Sequence, residues 1–235
     1  MSATMTEVTI GAAKLLHGNC LELMLELEPC SVDAVITDPP YMIGAASIGD
    51  MKAKAGNWAD MENSAWWYAE WLNLARLALK LDGFVCVFGN WRSIPTLLHA
   101  FSKIKWTVDS LMVWDKEWIG PAGPRQLRPT YEVILIAGMP EARIDNRSAS
   151  DIFRCKWQAG HTKKTPHPAE KPVELMRHLI RLTTKSMGMV LDPFMGSGTT
   201  GEAAYLEGRR FIGMERETGY FHDIAVPRLR RVQNS

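Results

Sequence analysis

Asp38-Pro39-Pro40-Tyr41 directly follows the apolar run Ala34-Val35-Ile36, so a carboxylate, two rigid prolines and an aromatic ring meet at the carboxyl end of an expected strand. In open α/β sheets, function collects at that edge. The amine of adenine or cytosine is a poor nucleophile because its lone pair is delocalised into the ring. Two acceptors aimed at its two hydrogens would hold the nitrogen more tetrahedral and free the lone pair. Asp38 supplies one acceptor and the Pro39 carbonyl the other, the prolines fix the turn that points both inward, and Tyr41 can stack on the base. A hydrogen bond to a charged partner contributes about 1.5–3 kcal/mol, which offsets part of the few kcal/mol needed to pull a base from its stack. A bare Asp-Pro would read as a capped turn, but four such residues after a strand favour chemistry.

A second cluster, Val190-Leu191-Asp192-Pro193-Phe194-Met195-Gly196-Ser197-Gly198-Thr199-Thr200, reads as strand, glycine turn and helix. Glycines admit a ligand close to the backbone, and the amides of a helix N-terminus suit an anion such as an amino-acid carboxylate. Asp192 would face an ammonium, and Glu215, about twenty residues beyond the glycines, can take both hydroxyls of a ribose. A nucleoside joined to an amino acid satisfies all three positions. Gly196 to Gly201 also spells the dinucleotide fingerprint Gly-x-Gly-x-x-Gly, so a nicotinamide enzyme is a rival reading. Against it stand an acid where a pyrophosphate would sit and the Asp38 cluster, which hydride transfer does not need. No Lys follows the last glycine, which excludes a P-loop.

These clusters need a sheet to hold them. Val-, Ile- and Phe-rich runs alternate with helical patterns, which predicts an α/β, mostly parallel, doubly wound sheet. Strands are expected near Lys14–His17, Asp33–Thr37, Phe84–Phe88, Val108–Trp114, Glu132–Ala137, Met189–Leu191 and Arg210–Met214. Helices are expected at Ala65–Leu81, ending on Asp82-Gly83, at Val173–Lys185, and at Thr199–Glu207 with Gly208 as its cap. Met42 to Ser64, rich in small and polar residues, reads as a mobile loop over Tyr41. From Gly138 to Pro168 patterning fades while Arg143, Arg147, Arg154, Lys156, Lys163 and Lys164 outnumber Asp145 and Asp151, which suits a substrate-facing insert or a solvated loop. Pro29-Cys30 precedes a strand and reads as a turn with a buried cysteine, and Trp66, Trp67 and Trp71 read as packing.

With 235 residues, 46% hydrophobic and 23% charged, the chain suits one globular domain, residues 1–235. A net charge of +1 neither supports nor opposes a polyanionic partner, which would meet a local patch. Cys20, Cys30, Cys86 and Cys155 lack the paired spacing of a zinc site and read as reduced thiols, so no metal is implied. Neither a signal segment nor a run long enough to span a bilayer is apparent, which leads to the expectation of a cytoplasmic protein without a membrane partner.

Together these residues resemble the amino-group DNA methyltransferases, adenine-N6 or cytosine-N4, in the beta arrangement where Asp-Pro-Pro-Tyr precedes the cofactor glycines. The resemblance covers most of the chain and includes His167-Pro168-Ala169-Glu170-Lys171-Pro172 and Leu16-His17-Gly18-Asn19-Cys20-Leu21. It implies a seven-stranded sheet with one reversed strand, S-adenosylmethionine as methyl donor and double-stranded DNA as substrate. Asp192, Phe194, Gly196, Ser197, Gly198 and Thr199 would line the methionine end, Lys171 would lie near the carboxylate, Glu215 would take the ribose, and Asn19 with Cys20 the adenine edge. Asn19 departs from the aspartate expected there. The strand before Asp38 and the strand ending at Leu191 would be neighbours, setting Asp38 beside the donor methyl for direct in-line transfer.

The family's recognition segment would fall at Met139 to Pro166. So short an insert implies that recognition is shared with Met42 to Ser64, with Arg125 and Arg128, or with the second subunit of a homodimer, with Arg154, Lys156, Lys163 and Lys164 also meeting nucleic acid. Asp rather than Ser at the first motif position favours adenine over cytosine. An RNA amino-methyltransferase and a dinucleotide-dependent oxidoreductase remain rivals. No endonuclease motif appears, so a restriction-modification role would need a second protein.

Overall fold

The computed structural model describes residues 6–41, 58–120, 122–157 and 170–234. In chain order its elements are β1 (Thr6–Ile10), β2 (Ala13–His17), α1 (Cys20–Leu25), β3 (Val32–Thr37), α2 (Trp58–Ala78), β4 (Leu79–Gly89), α3 (Ile94–Lys103), β5 (Ser110–Asp115), β6 (Tyr131–Gly138), β7 (Ile152–Arg154), α4 (Val173–Thr183), β8 (Met189–Asp192), α5 (Thr199–Leu206), β9 (Arg210–Glu215), a π-helical turn (Tyr220–Ala225) and α6 (Val226–Gln233). The strands form a sheet in the order β1-β2-β9-β8-β3-β4-β6-β5-β7. From β2 to β4 neighbours run parallel, and β6 is antiparallel to both β4 and β5, the one reversed strand of the expected seven.

Two further strands bring the described sheet to nine. β1 folds back antiparallel on β2 through Gly11, and β7 pairs parallel with β5. β1 carries a short Val8/Ile10 alternation that is legible in hindsight, whereas β7 has three residues with Ile152 half exposed and no pattern to find.

Alternation along the central strands sorts side chains onto two covered faces. Ala34, Ile36, Phe84, Cys86 and Phe88 pack with α4, α5 and the C-terminal turns, while Val35, Val85 and Val87 pack with α1, α2 and α3. Burial on both faces is why these strands read as unbroken apolar runs. In α2 the buried set Ala65, Tyr68, Ala69, Trp71, Leu72 and Ala75 follows helical spacing, so Trp71 is core, whereas Trp66 stands exposed beneath the Lys103 ammonium.

Several expectations are corrected. α2 ends at Ala78, not Leu81, because Lys80 leaves the helix to pair with both Asp33 oxygens at 2.8 Å and β4 takes up the slack in an irregular register that places Asp82-Gly83 inside the strand. The same helix begins at Trp58, so the last seven residues of the expected loop 42–64 are helical, and residues 42–57 lie outside the described ones. The insert 139–166 contains β7, and its residues 158–166 lie outside the described ones. Cys30 does sit in a turn, with φ of 53°, but it is exposed. α1, α3 and α6 are further helices that the sequence reading did not include.

Candidate active site

The parallel strands deliver the flagged residues to one edge in a fixed order. His17 of β2 pairs with Glu215 of β9, Gly213 of β9 with Asp192 of β8, and Leu191 of β8 with Val35 of β3. Read across the carboxyl edge, Asn19 and Cys20 come first, then Glu215, then Asp192 with the glycine turn, then Asp38. The neighbourhood of β3 and β8 expected from the resemblance is therefore present.

Asp38 leaves β3 beside Asp192, and the Thr37 hydroxyl donates to Asp192 Oδ1 at 2.6 Å, tying the two turns together. The Lys171 ammonium pairs with Asp38 Oδ2 and, at 3.3 Å, with Glu132 Oε2. Asp38 Oδ1 is buried and has no donor among the described residues. Burial raises the Asp38 carboxyl above its ordinary range, opposed chiefly by Lys171. The Tyr41 hydroxyl donates to Glu132 Oε2 at 3.3 Å, and the Tyr68 hydroxyl donates to the Pro40 carbonyl at 2.6 Å, which fixes the proline turn from α2. Lys171, expected near a cofactor carboxylate, pairs with Asp38 and Glu132, and these two carboxylates compensate its buried charge.

The cofactor candidates are held by their own bonds. Asn19 caps α1, its side chain accepting from Leu21 N at 3.2 Å, and burial pushes the Cys20 thiol up to about 12. Glu215 accepts from Gly196 N at 2.9 Å and from Glu217 N at 2.7 Å. The Phe194 ring lies edge-on to Trp71 at 5.3 Å and tilted to Trp67 at 5.6 Å, so these two tryptophans, read as packing, hold that ring in place.

Asp192 is buried and accepts from Thr37, from Thr200 at 2.6 Å and from Phe194 N at 3.1 Å. Burial raises its carboxyl to about 6, against the pull of those hydroxyls. Because the folded value lies above the unfolded one, its stabilising share is complete below about pH 4 and is lost as pH rises through about 6. Asp192→Asn is therefore expected to remove a fall in stability on the order of 2–3 kcal/mol across that window. Urea midpoints of both proteins at pH 4, 5, 6 and 7 check this, and parallel curves would refute it.

Gly198 opens α5 with φ of 76°, and a Cβ there would meet Leu229 Cδ1 at 3.1 Å and Ala225 at 3.3 Å. Gly198→Ala is expected to cost about 1–2 kcal/mol for the left-handed conformation alone and to weaken binding at the turn, read by melting and by cofactor titration.

Sequence reasoning missed Arg228. Its guanidinium is buried and donates to Ser197 O at 3.0 Å, Ser197 Oγ at 3.1 Å, Thr199 Oγ1 at 2.8 Å and Glu202 Oε2 at 2.6 Å, and pairs with Glu170. The hydroxyls of Ser197 and Thr199 thus accept from α6. Nothing in the sequence marks Arg228 as different from its neighbours Arg230 and Arg231.

Among the nucleic-acid candidates, Arg125 and Arg128 lie between β5 and β6, and Arg154 and Lys156 at and after the end of β7. Tyr131 pairs with Asp115 and Arg154 also pairs with Asp115, so all four emerge on the edge that carries Asp38. Arg128 is engaged internally, donating to Gly120 O at 2.8 Å and Ile119 O at 3.1 Å, while Arg125 and Lys156 are exposed. Lys163, Lys164 and His167 to Ala169 lie outside the described residues. No metal-binding group of His, Cys, Asp and Glu is found among the described residues, and no described helix is long and apolar enough to cross a membrane.

Residues 32–226 match the DNA methylase family. The chain is 28% identical over 249 aligned residues to the Type II methyltransferase M2.LlaDCHI of Lactococcus lactis subsp. cremoris, covering 93% of this chain and 90% of that one. Its fold is similar to the crystal structure of the M1.HpyAVI–SAM complex, with TM-score 0.66 and 28% identity over 92% of this chain and 99% of the other. It is also similar in fold to the PvuII DNA methyltransferase (cytosine-N4-specific), with TM-score 0.73 and 18% identity over 96% and 93% of the two chains.

Proposed function

Because the chain belongs to the DNA methylase family, whose members methylate an exocyclic amine of DNA from S-adenosylmethionine, we propose that its target is adenine N6 and that Asp38 to Tyr41 hold that amine. The observation that carries this reading is Asp38 Oδ1, a buried carboxylate oxygen without a donor among the described residues, at the strand end beside the glycine turn.

The residues present fit the donor. From Asn19 and Cys20 through Glu215 to Asp192 and the glycine turn, the edge offers sites for a base, a ribose and an amino acid in the order in which S-adenosylmethionine joins them, ending next to Asp38. When bound, that cofactor supplies a methyl group whose bond to the sulfonium breaks as the bond to nitrogen forms, the electron pair leaving with sulfur. Asp38 Oδ1 accepts one hydrogen of the amine and the Pro39 carbonyl the other, so the nitrogen lone pair points along the edge toward β8. The amine becomes acidic only as it is methylated, and Asp38 is the nearest acceptor for the proton it then sheds. Tyr41, fixed through Glu132, supplies the stacking face for the base drawn from the duplex.

Asp at position 38 supports adenine, and cytosine N4 is the second reading because one structure of this fold is named cytosine-N4-specific. We read residues 1–235 as one catalytic domain acting in the cytoplasm on duplex DNA, with Arg125, Arg154 and Lys156 meeting phosphates and a second copy completing recognition. The Type II name of the Lactococcus lactis relative supports a modification role beside a separate endonuclease.

The test is transfer of radiolabelled methyl to unmethylated duplex DNA followed by nucleoside analysis. Label in N6-methyladenine is expected; label in N4-methylcytosine would move the target to cytosine, and label only in RNA would overturn the proposal.

A further inference from the structure

Behind Asp38 lies a row of buried and partly buried charges, of which the transfer just described uses only Glu132, and that only to fix Tyr41. Lys171 sits between Asp38 Oδ2 and Glu132 Oε2, and Lys116, itself buried, reaches Glu132 Oε1 at 3.3 Å. The signs alternate: carboxylate, ammonium, carboxylate, ammonium. The four come from separate elements: the turn after β3, the segment before α4, β6, and the residue following β5. Glu132 Oε2 also receives the Tyr41 hydroxyl, so one carboxylate holds both the lysine and the stacking ring.

Resting on the methylation reading, we propose that Lys171 and Glu132 are positioning residues for the transfer: Lys171 engages Oδ2 of Asp38 and leaves Oδ1 as its free acceptor, while Glu132 anchors Lys171 and Tyr41 from the opposite side.

The geometry shows why both are needed. Without Lys171, Asp38 and Glu132 face each other as like charges in a buried place, and one of them takes up a proton. A protonated Asp38 has lost the charge that makes it a strong acceptor. Without Glu132, Lys171 belongs wholly to Asp38, and Tyr41 is left with Asp38 as the carboxylate that holds its hydroxyl. The groups facing Asp38 are Lys171, Glu132, Tyr41 and, at the end of the neighbouring β8, Asp192, with Lys116 one step behind. Of these, Lys171 lowers the Asp38 carboxyl while Glu132 raises it. Burial would raise Glu132 too, but Lys171 and Lys116 hold it below its ordinary range, and Lys171 itself stays charged between its two carboxylates.

Two substitutions should therefore displace one titration in opposite directions, which a merely structural role would not do. The Asp38 carboxyl is followed by 13C NMR in the free full-length protein as pH is varied. Lys171→Met is expected to move its midpoint up and Glu132→Gln to move it down, with Lys171→Arg and Glu132→Asp near wild type. Single-turnover methylation at neutral pH should fall about 10- to 100-fold in Lys171→Met and recover as pH is raised, while in Glu132→Gln its acid limb should move to lower pH. Midpoints that stay in place, or that move the same way in both variants, would overturn the proposal. Should Lys171→Met fail to fold, the Glu132→Gln midpoint decides alone. The titration needs no methyl transfer, so its failure is distinct from failure of the methylation reading, which the radiolabel experiment tests.

Discussion

Asp38→Ala is expected to lower single-turnover methyl transfer to DNA by about 10²–10⁴-fold while the protein stays folded. The substitution removes the unpartnered Oδ1 that would accept from the amine and the negative charge that favours release of its proton. Stability should hold or rise, since burial already works against the ionised carboxylate and Lys171 keeps Glu132 as a partner. Asp38→Asn keeps an acceptor oxygen but not its charge, and should lose about 1.5–3 kcal/mol of transition-state stabilisation, roughly a 10- to 150-fold drop. Rapid-quench methylation with melting curves separates chemistry from folding. Full activity in Asp38→Ala would remove the centre of the proposed mechanism.

The second large effect lies away from the chemistry. Arg228→Leu is expected to cost about 3–5 kcal/mol, because Glu170 and Glu202 would each lose a buried ion-pair partner. For a chain of this size that corresponds to a fall in melting temperature of roughly 6–20 °C. Arg228 also grips Ser197 and Thr199, so the cofactor turn should loosen and the KM for S-adenosylmethionine should rise more than kcat falls. Replacing Glu170 and Glu202 by Gln in the same chain should restore part of the stability, since the two buried charges that Arg228 compensated are then gone. Lysine at 228 should rescue little, as one ammonium cannot reproduce a fork that meets five acceptor atoms. An unchanged melting temperature in Arg228→Leu would refute the account of α6 as the brace of the glycine turn.

Much of the active edge could be read before any coordinates because its chemistry is local. Asp38 to Tyr41 and Asp192 to Thr200 are contiguous, each follows an apolar run, and turn residues carry their conformational demand wherever they stand. Seven strands and the main helices were legible for the same reason, since burial on both faces of a central strand and on one face of a helix writes a short-range pattern. The C-terminal end of α2 was not, because Lys80 leaves the helix for Asp33, a residue far away in sequence. β7 was invisible because three residues at an edge, supported mainly by pairing with β5, carry no periodicity of their own.

What only the tertiary structure decided is which charges meet. The sequence determined that Lys171 stands in a segment of interest; that it pairs with both Asp38 and Glu132 follows from the turn after β3 and from β6 delivering the two carboxylates to the same spot. Arg228 is one arginine among several in a basic C-terminal helix until burial removes its water and obliges Glu170, Glu202 and the glycine turn to satisfy it. A side chain's type is local, whereas its solvation and its partners are set by everything folded around it, so the residues proposed to react announced themselves and those that pack and pair behind them did not.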